Sequence, residues 1–138
     1  MERIRSIRLR WLQGGLSELA QELERAQFSQ LARPQGWQPS INAYRCECSI
    51  RICVDLAGVE KADIDLLVES TRVVLRGIRP APEPSGSEPK PRQILAMEID
   101  HGPFVREILL PIEVTPAEAT AEQRNGFLWI NLPLFNRP

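Results

Sequence analysis

Residues that carry chemistry are scarce in this chain. It has one histidine, His101, and two lysines, Lys61 and Lys90. It has no G-x-S-x-G elbow, no phosphate-binding loop and no dinucleotide fingerprint. His101 stands beside Gly102-Pro103 in a predicted turn, where a lone histidine is far more often a solvated residue than a base. Asp63 and Asp65 share the face of a predicted strand, but a general acid needs a cleft and a raised pKa as well. No catalytic residue and no cofactor is therefore expected. Long apolar runs are missing too: none approaches the ~20 residues that a membrane-spanning helix requires. The N-terminus carries arginines without the apolar core or the small-residue cleavage site of a secretory signal. A net charge of −1 leaves no electrostatic footprint for nucleic acid.

Cysteine is sparse and oddly placed. Cys46, Cys48 and Cys53 are the only three, too few and too crowded for a disulfide framework, which points to a reducing, cytoplasmic setting. Tetrahedral zinc takes four ligands. On a strand, Cys46 and Cys48 would share one face and Cys53 would lie on the other, so no metal site is expected. These cysteines read as small apolar core residues. A redox-sensitive or interchain thiol is the other reading.

What is present is an ordinary globular composition, 43% hydrophobic and 25% charged, at a length of 138 residues that suits one domain with short extensions. Residues 1–36 form an N-terminal arm. Leu12, Leu16, Leu19, Leu23 and Ala26 recur at helical spacing behind a plausible N-cap, Ser17, which predicts a short amphipathic helix. Arg33-Pro34-Gln35-Gly36 ends it. The arm is either a helix packed on its own domain or a sticky segment that docks on partners.

From Trp37 the periodicity changes to two. Strands are predicted at 42–44, 46–54, 63–69, 72–77, 94–99 and 104–110. Residues 79–93 hold five prolines among Ser, Gly and charged residues, a composition for a long loop rather than a core. The clearest element is 121–133. Asn125-Gly126 suits a tight hairpin turn, because both residues tolerate positive φ. After it Leu128, Ile130 and Leu132 alternate with Phe127, Trp129 and Asn131, and Pro133 closes the strand. Short strands joined by turns predict an all-β antiparallel sandwich.

Five blocks then fall in a telling order. They are Trp37-x-Pro39-x-Ile41; Val54-Asp55-Leu56-Ala57-Gly58-Val59 with Asp63-Ile64; Leu75-Arg76-Gly77; Gly102-x-Phe104-x-Arg106-x-Ile108-x-Leu110-Pro111; and Ala121-x-x-x-Asn125-Gly126-Phe127-Leu128. In order and spacing, residues 37–133 resemble the small heat-shock protein (alpha-crystallin domain) family.

The resemblance implies an immunoglobulin-like β-sandwich and an ATP-independent holdase, which keeps unfolding client proteins from aggregating. It implies client contact through Trp11, Leu12, Leu16, Leu19, Leu23 and Phe28. It implies a docking groove lined by Leu66, Val68, Ala119 and Ala121. It also implies a homodimer by strand exchange, in which Ile94, Leu95, Ala96, Met97 and Glu98 pair with the neighbouring subunit and Arg106 meets a carboxylate, with Glu98 as candidate.

Departures from the family pattern are Ala57 in place of proline, Ile99 in place of arginine, and a tail of only residues 134–138 where an Ile-x-Ile/Val pair is usual. The tail predicts a dimer or small assembly, with any larger oligomer built by residues 1–36, or a hetero-oligomer in which another protein supplies the tail. The rival function is a co-chaperone or adaptor module of the related sandwich type. Such modules lack the long exchange loop, so the 79–93 stretch favours the holdase.

Overall fold

The computed structural model describes residues 8–11 (backbone only), 36–84 and 93–136. They form two four-stranded sheets packed face to face. The strands are β1 (Arg8–Trp11), β2 (Ile41–Arg45), β3 (Ser49–Asp55), β4 (Ile64–Val68), β5 (Arg72–Arg79), β6 (Gly102–Leu109), β7 (Thr120–Arg124) and β8 (Phe127–Pro133). One sheet runs β1-β4-β5-β6 and the other β2-β3-β8-β7. Every pairing is antiparallel except β1 on β4, which is parallel. Single 3₁₀ turns, Lys61–Asp63 and Pro116–Glu118, lead into β4 and β7.

Alternation decides which side chains enter the core. Ile50, Ile52 and Val54 of β3 and Leu128, Ile130 and Leu132 of β8 meet Leu66 and Val68 of β4 and Val73 and Leu75 of β5 across the sandwich. The β7–β8 hairpin is as the sequence predicts: Asn125 has φ 53° and Gly126 φ 81°. Gly77 has a different reason to be glycine. A Cβ there would stand 2.4 Å from the Asp63 carbonyl and 2.6 Å from Phe104 Cζ, so β4, β5 and β6 can close up only around a bare backbone.

Three expectations change. The strand expected over 46–54 begins only at Ser49, because β2 and β3 are a hairpin whose tip contains Cys46 and Cys48. The stretch 94–99 is no strand in its own chain, where it pairs with no neighbour in either sheet. Arg8–Trp11, in the arm read as helical, is a strand set by its pairing with β4; the helical stripe at 12–26 lies outside the described residues.

Candidate functional site

The two sheets leave two seams where their edges meet. On one side, the edge carrying β7 faces the edge carrying β4 across the sandwich. Gln123 Nε2 donates to the Val59 carbonyl at 2.7 Å ahead of β4. The Val114 amide donates to the Ser70 carbonyl at 2.8 Å beyond β4. Leu66 and Val68 of β4, and Ala119 and Ala121 of β7 and its approach, belong to the one apolar cluster that fills the sandwich. All four are buried, so none of them is an open lining. Alanine is the informative residue type here. Two small side chains here let the sheet edges pack closely.

β4 is the edge of its sheet apart from β1, and an edge strand presents unpaired N–H and C=O groups to any extended segment. Here β1 takes them. Leu9 pairs with Leu66 and Trp11 with Val68, in parallel register. Of the residues expected to contact clients, Trp11 thus sits in the strand along the seam. Leu12, Leu16, Leu19, Leu23 and Phe28 lie outside the described residues.

The second seam joins β6 to the entry of β2. Arg106 Nη1 donates to the Pro39 carbonyl at 3.0 Å, so within one chain its partner is a backbone oxygen. Glu98 is exposed on the preceding loop. Ile94 and Leu95 are 64% and 89% exposed, Met97 is exposed with them, and the outer edge of β2 carries no strand among the described residues.

An Arg79–Trp37 clamp at the root of the proline-rich loop was not legible in the sequence. Arg79 is buried, with its guanidinium 4.0 Å from the Trp37 ring centre. Its Nε donates to the Asp100 carbonyl at 2.8 Å and its Nη1 to the Ala57 carbonyl at 3.3 Å. Trp37 Nε1 donates to the Gly102 carbonyl at 3.0 Å, and its ring packs on Phe104. Both ends of the 80–101 excursion are thereby fixed, although the apolar stretch within it is exposed. The only hint in the sequence was Arg79 at the end of an alternating run.

On the outer face of the β4–β5–β6 sheet, Leu67 and Val74 form a small buried cluster with Val105 packed against it. Ion pairs flank it: Arg76 to Asp65 at 2.9 Å, and buried Arg72 to Glu69 and, at 3.6 Å, to Glu107. Each guanidinium meets a carboxylate, which keeps its burial from being costly. Burial pushes the Cys53 thiol pKa up; Asp55 adds to this and Arg124 opposes it. His101 is exposed, with Nδ1 3.2 Å from the Ile99 carbonyl. Among the described residues no group of three or more His, Cys, Asp or Glu side chains could hold a metal ion. No helix among them is long and apolar enough to cross a membrane.

Against known proteins, residues 43–138 match the Hsp20/alpha crystallin family. An 18 kDa antigen 1 from Mycobacterium avium is 27% identical over 121 residues, covering 86% of this chain and 77% of that protein. Several solved structures share the fold. Heat shock protein 16.0 from Schizosaccharomyces pombe has a TM-score of 0.63 at 24% identity, covering 74% of this chain and 91% of its own. The hspA protein from Xanthomonas axonopodis has a TM-score of 0.61 at 24% identity, covering 74% and 98%.

Proposed function

Since the chain belongs to the Hsp20/alpha crystallin family, the family of small heat shock chaperones, we propose that it is an ATP-independent holdase that takes up apolar segments of unfolding proteins along the β4 edge. The observation that carries this reading is β1 itself: a short segment with Leu9 and Trp11 two residues apart pairs with β4 at Leu66 and Val68, in parallel register. Strand addition suits a holdase. Main-chain hydrogen bonds are blind to sequence, and alternate side chains need only be apolar. No nucleotide chemistry is required, because holding a client depends on mass action alone.

We further propose that the working unit is a homodimer. The exposed Ile94, Leu95, Ala96, Met97 and Glu98 segment of one copy would pair with the open β2 edge of the other, which would cover an exposed edge and bury apolar side chains together. In that dimer Arg106 would lie close to the interface through its hold on Pro39. The clients are unfolded or partly folded proteins, and the three free cysteines favour a cytoplasmic setting.

The test is light scattering from a heat-labile enzyme warmed without ATP, with the full chain and with a variant lacking residues 1–36. Suppression by the full chain is expected. A folded, soluble protein that suppresses nothing in either form would favour an adaptor module instead.

A further inference from the structure

Neither the sandwich nor the seam uses the two exposed thiols at the β2–β3 tip. The hairpin is paired up to Arg45 and Ile50, and the Cys46 amide donates to the Ser49 carbonyl at 2.7 Å, so residues 46–49 form a closed loop. Within it the chain bends at Glu47 and Cys48. Cys46 and Cys48 are exposed and free; Cys53 is free but buried inside β3, paired with Asn42 and Trp129.

We propose that Cys46 and Cys48 are a peroxide-sensitive dithiol that closes to a reversible disulfide within the hairpin tip. Two residues separated by one other lie at most roughly 7 Å apart at Cα even when fully extended. A bend at the intervening residue brings them into the ~4.4–6.8 Å window of disulfides. Cα separation therefore does not bar the bridge, and the side-chain adjustment it asks for falls in the tip, outside the paired residues of both strands. Both thiols are accessible to a small oxidant, whereas burial excludes Cys53 from the reaction.

The chemistry needs one co-reactant, a peroxide. One thiolate attacks a peroxide oxygen, the O–O bond breaks, and water leaves a sulfenic acid on that sulfur. The second thiol then attacks the sulfenic sulfur, forms the S–S bond and releases a second water. Each peroxide takes two electrons, one from each sulfur. A small dithiol returns them by exchange and is itself oxidised to a disulfide.

The position gives the switch something to act on. Cys46 directly follows β2, whose outer edge is open. The Cys48 carbonyl accepts the Leu134 amide at 2.9 Å, which ties the tip to the end of the chain. Oxidation would stiffen the junction of these two features. The proposal rests on the hairpin and not on the holdase reading, so either can fail alone.

The test uses the full chain, folded, exposed to hydrogen peroxide, then denatured, alkylated and cut with trypsin. Cleavage after Arg45 and Arg51 releases residues 46–51 with both tip cysteines, and cleavage after Lys61 releases residues 52–61 with Cys53. The expected result is a 46–51 peptide two hydrogens lighter and unalkylated, restored by dithiothreitol before alkylation, beside an alkylated Cys53. Cys48→Ser should replace the light peptide by sulfenic acid or an interchain link at Cys46, with unchanged circular dichroism. The proposal is overturned if the 46–51 peptides of the unaltered protein appear cross-linked in pairs, joined to 52–61, or carried on to sulfinic acid.

Discussion

Replacing Ile130 by alanine probes the sandwich at its centre. Ile130 is fully buried on β8, flanked by Ile52 of β3 and Ala121 of β7. The strands on both sides are tied into ladders, so the core can relax only partly into the space left. The expected cost is about 2–5 kcal/mol. For a domain of this size each kcal/mol moves Tm by roughly 4–8 °C, so the loss is at least ~8 °C.

The neighbour Trp129 is the control. It points to the other face, half-buried, stacked on Tyr44 with ring centres 6.5 Å apart and with the Arg51 and Arg124 guanidinium carbons each 5.7 Å from its ring centre. Despite its greater size, Trp129→Ala forfeits ring contacts of about 1 kcal/mol beyond partial area burial. It should cost less than Ile130→Ala. Urea unfolding of both variants, with the m-value checked for constancy, gives the comparison. Because Ile130 acts through stability alone, client protection measured well below the variant's Tm should be unchanged. A larger loss for Trp129→Ala would refute the assignment of faces on β8, as would lost protection by Ile130→Ala at an unchanged Tm.

Other consequences follow from single contacts. Gly77→Ala drives a methyl into the Asp63 carbonyl and the Phe104 ring, neither of which can step aside without opening β4–β5, and should cost about 1–3 kcal/mol in urea unfolding. Arg106→Ala frees the Pro39 carbonyl, so amide exchange along β2 should speed up while β8 keeps its protection, for a loss of about 1 kcal/mol. The raised Cys53 pKa makes the unfolded chain the readier proton donor. Its stabilising share is therefore complete below the ordinary value of 9.0 and is lost as pH rises from there through the folded value. Cys53→Ala should flatten that alkaline decline in urea midpoints.

Much of this architecture was legible because it is local. The 121–133 hairpin carries its own turn chemistry and alternation, and the proline-rich 79–93 stretch announces a loop. What was not legible depends on distant partners. Arg-Cys-Glu-Cys-Ser has no glycine, proline, asparagine or aspartate to mark the β2–β3 tip, so in sequence the turn looks like the start of a strand. Arg8–Trp11 is extended because β4 offers it hydrogen bonds, and nothing in RLRW says so. Arg79 on Trp37 joins residues 42 positions apart, beyond the reach of any periodic pattern. Leu66, Val68, Ala119 and Ala121 are all buried, and alternation alone does not distinguish a groove residue from a core residue.

Amide hydrogen exchange of the intact chain tests the account most directly, with and without a permanently unfolded, reduced client and no nucleotide present. The client should change exchange in β4, where it competes with β1, and at residues 119–121 at the start of β7, and should leave the central β3 and β8 untouched. A folded version of the same client should change nothing. No change anywhere with the unfolded client, or a change confined to β2, would contradict the claim that this seam takes up unfolding proteins.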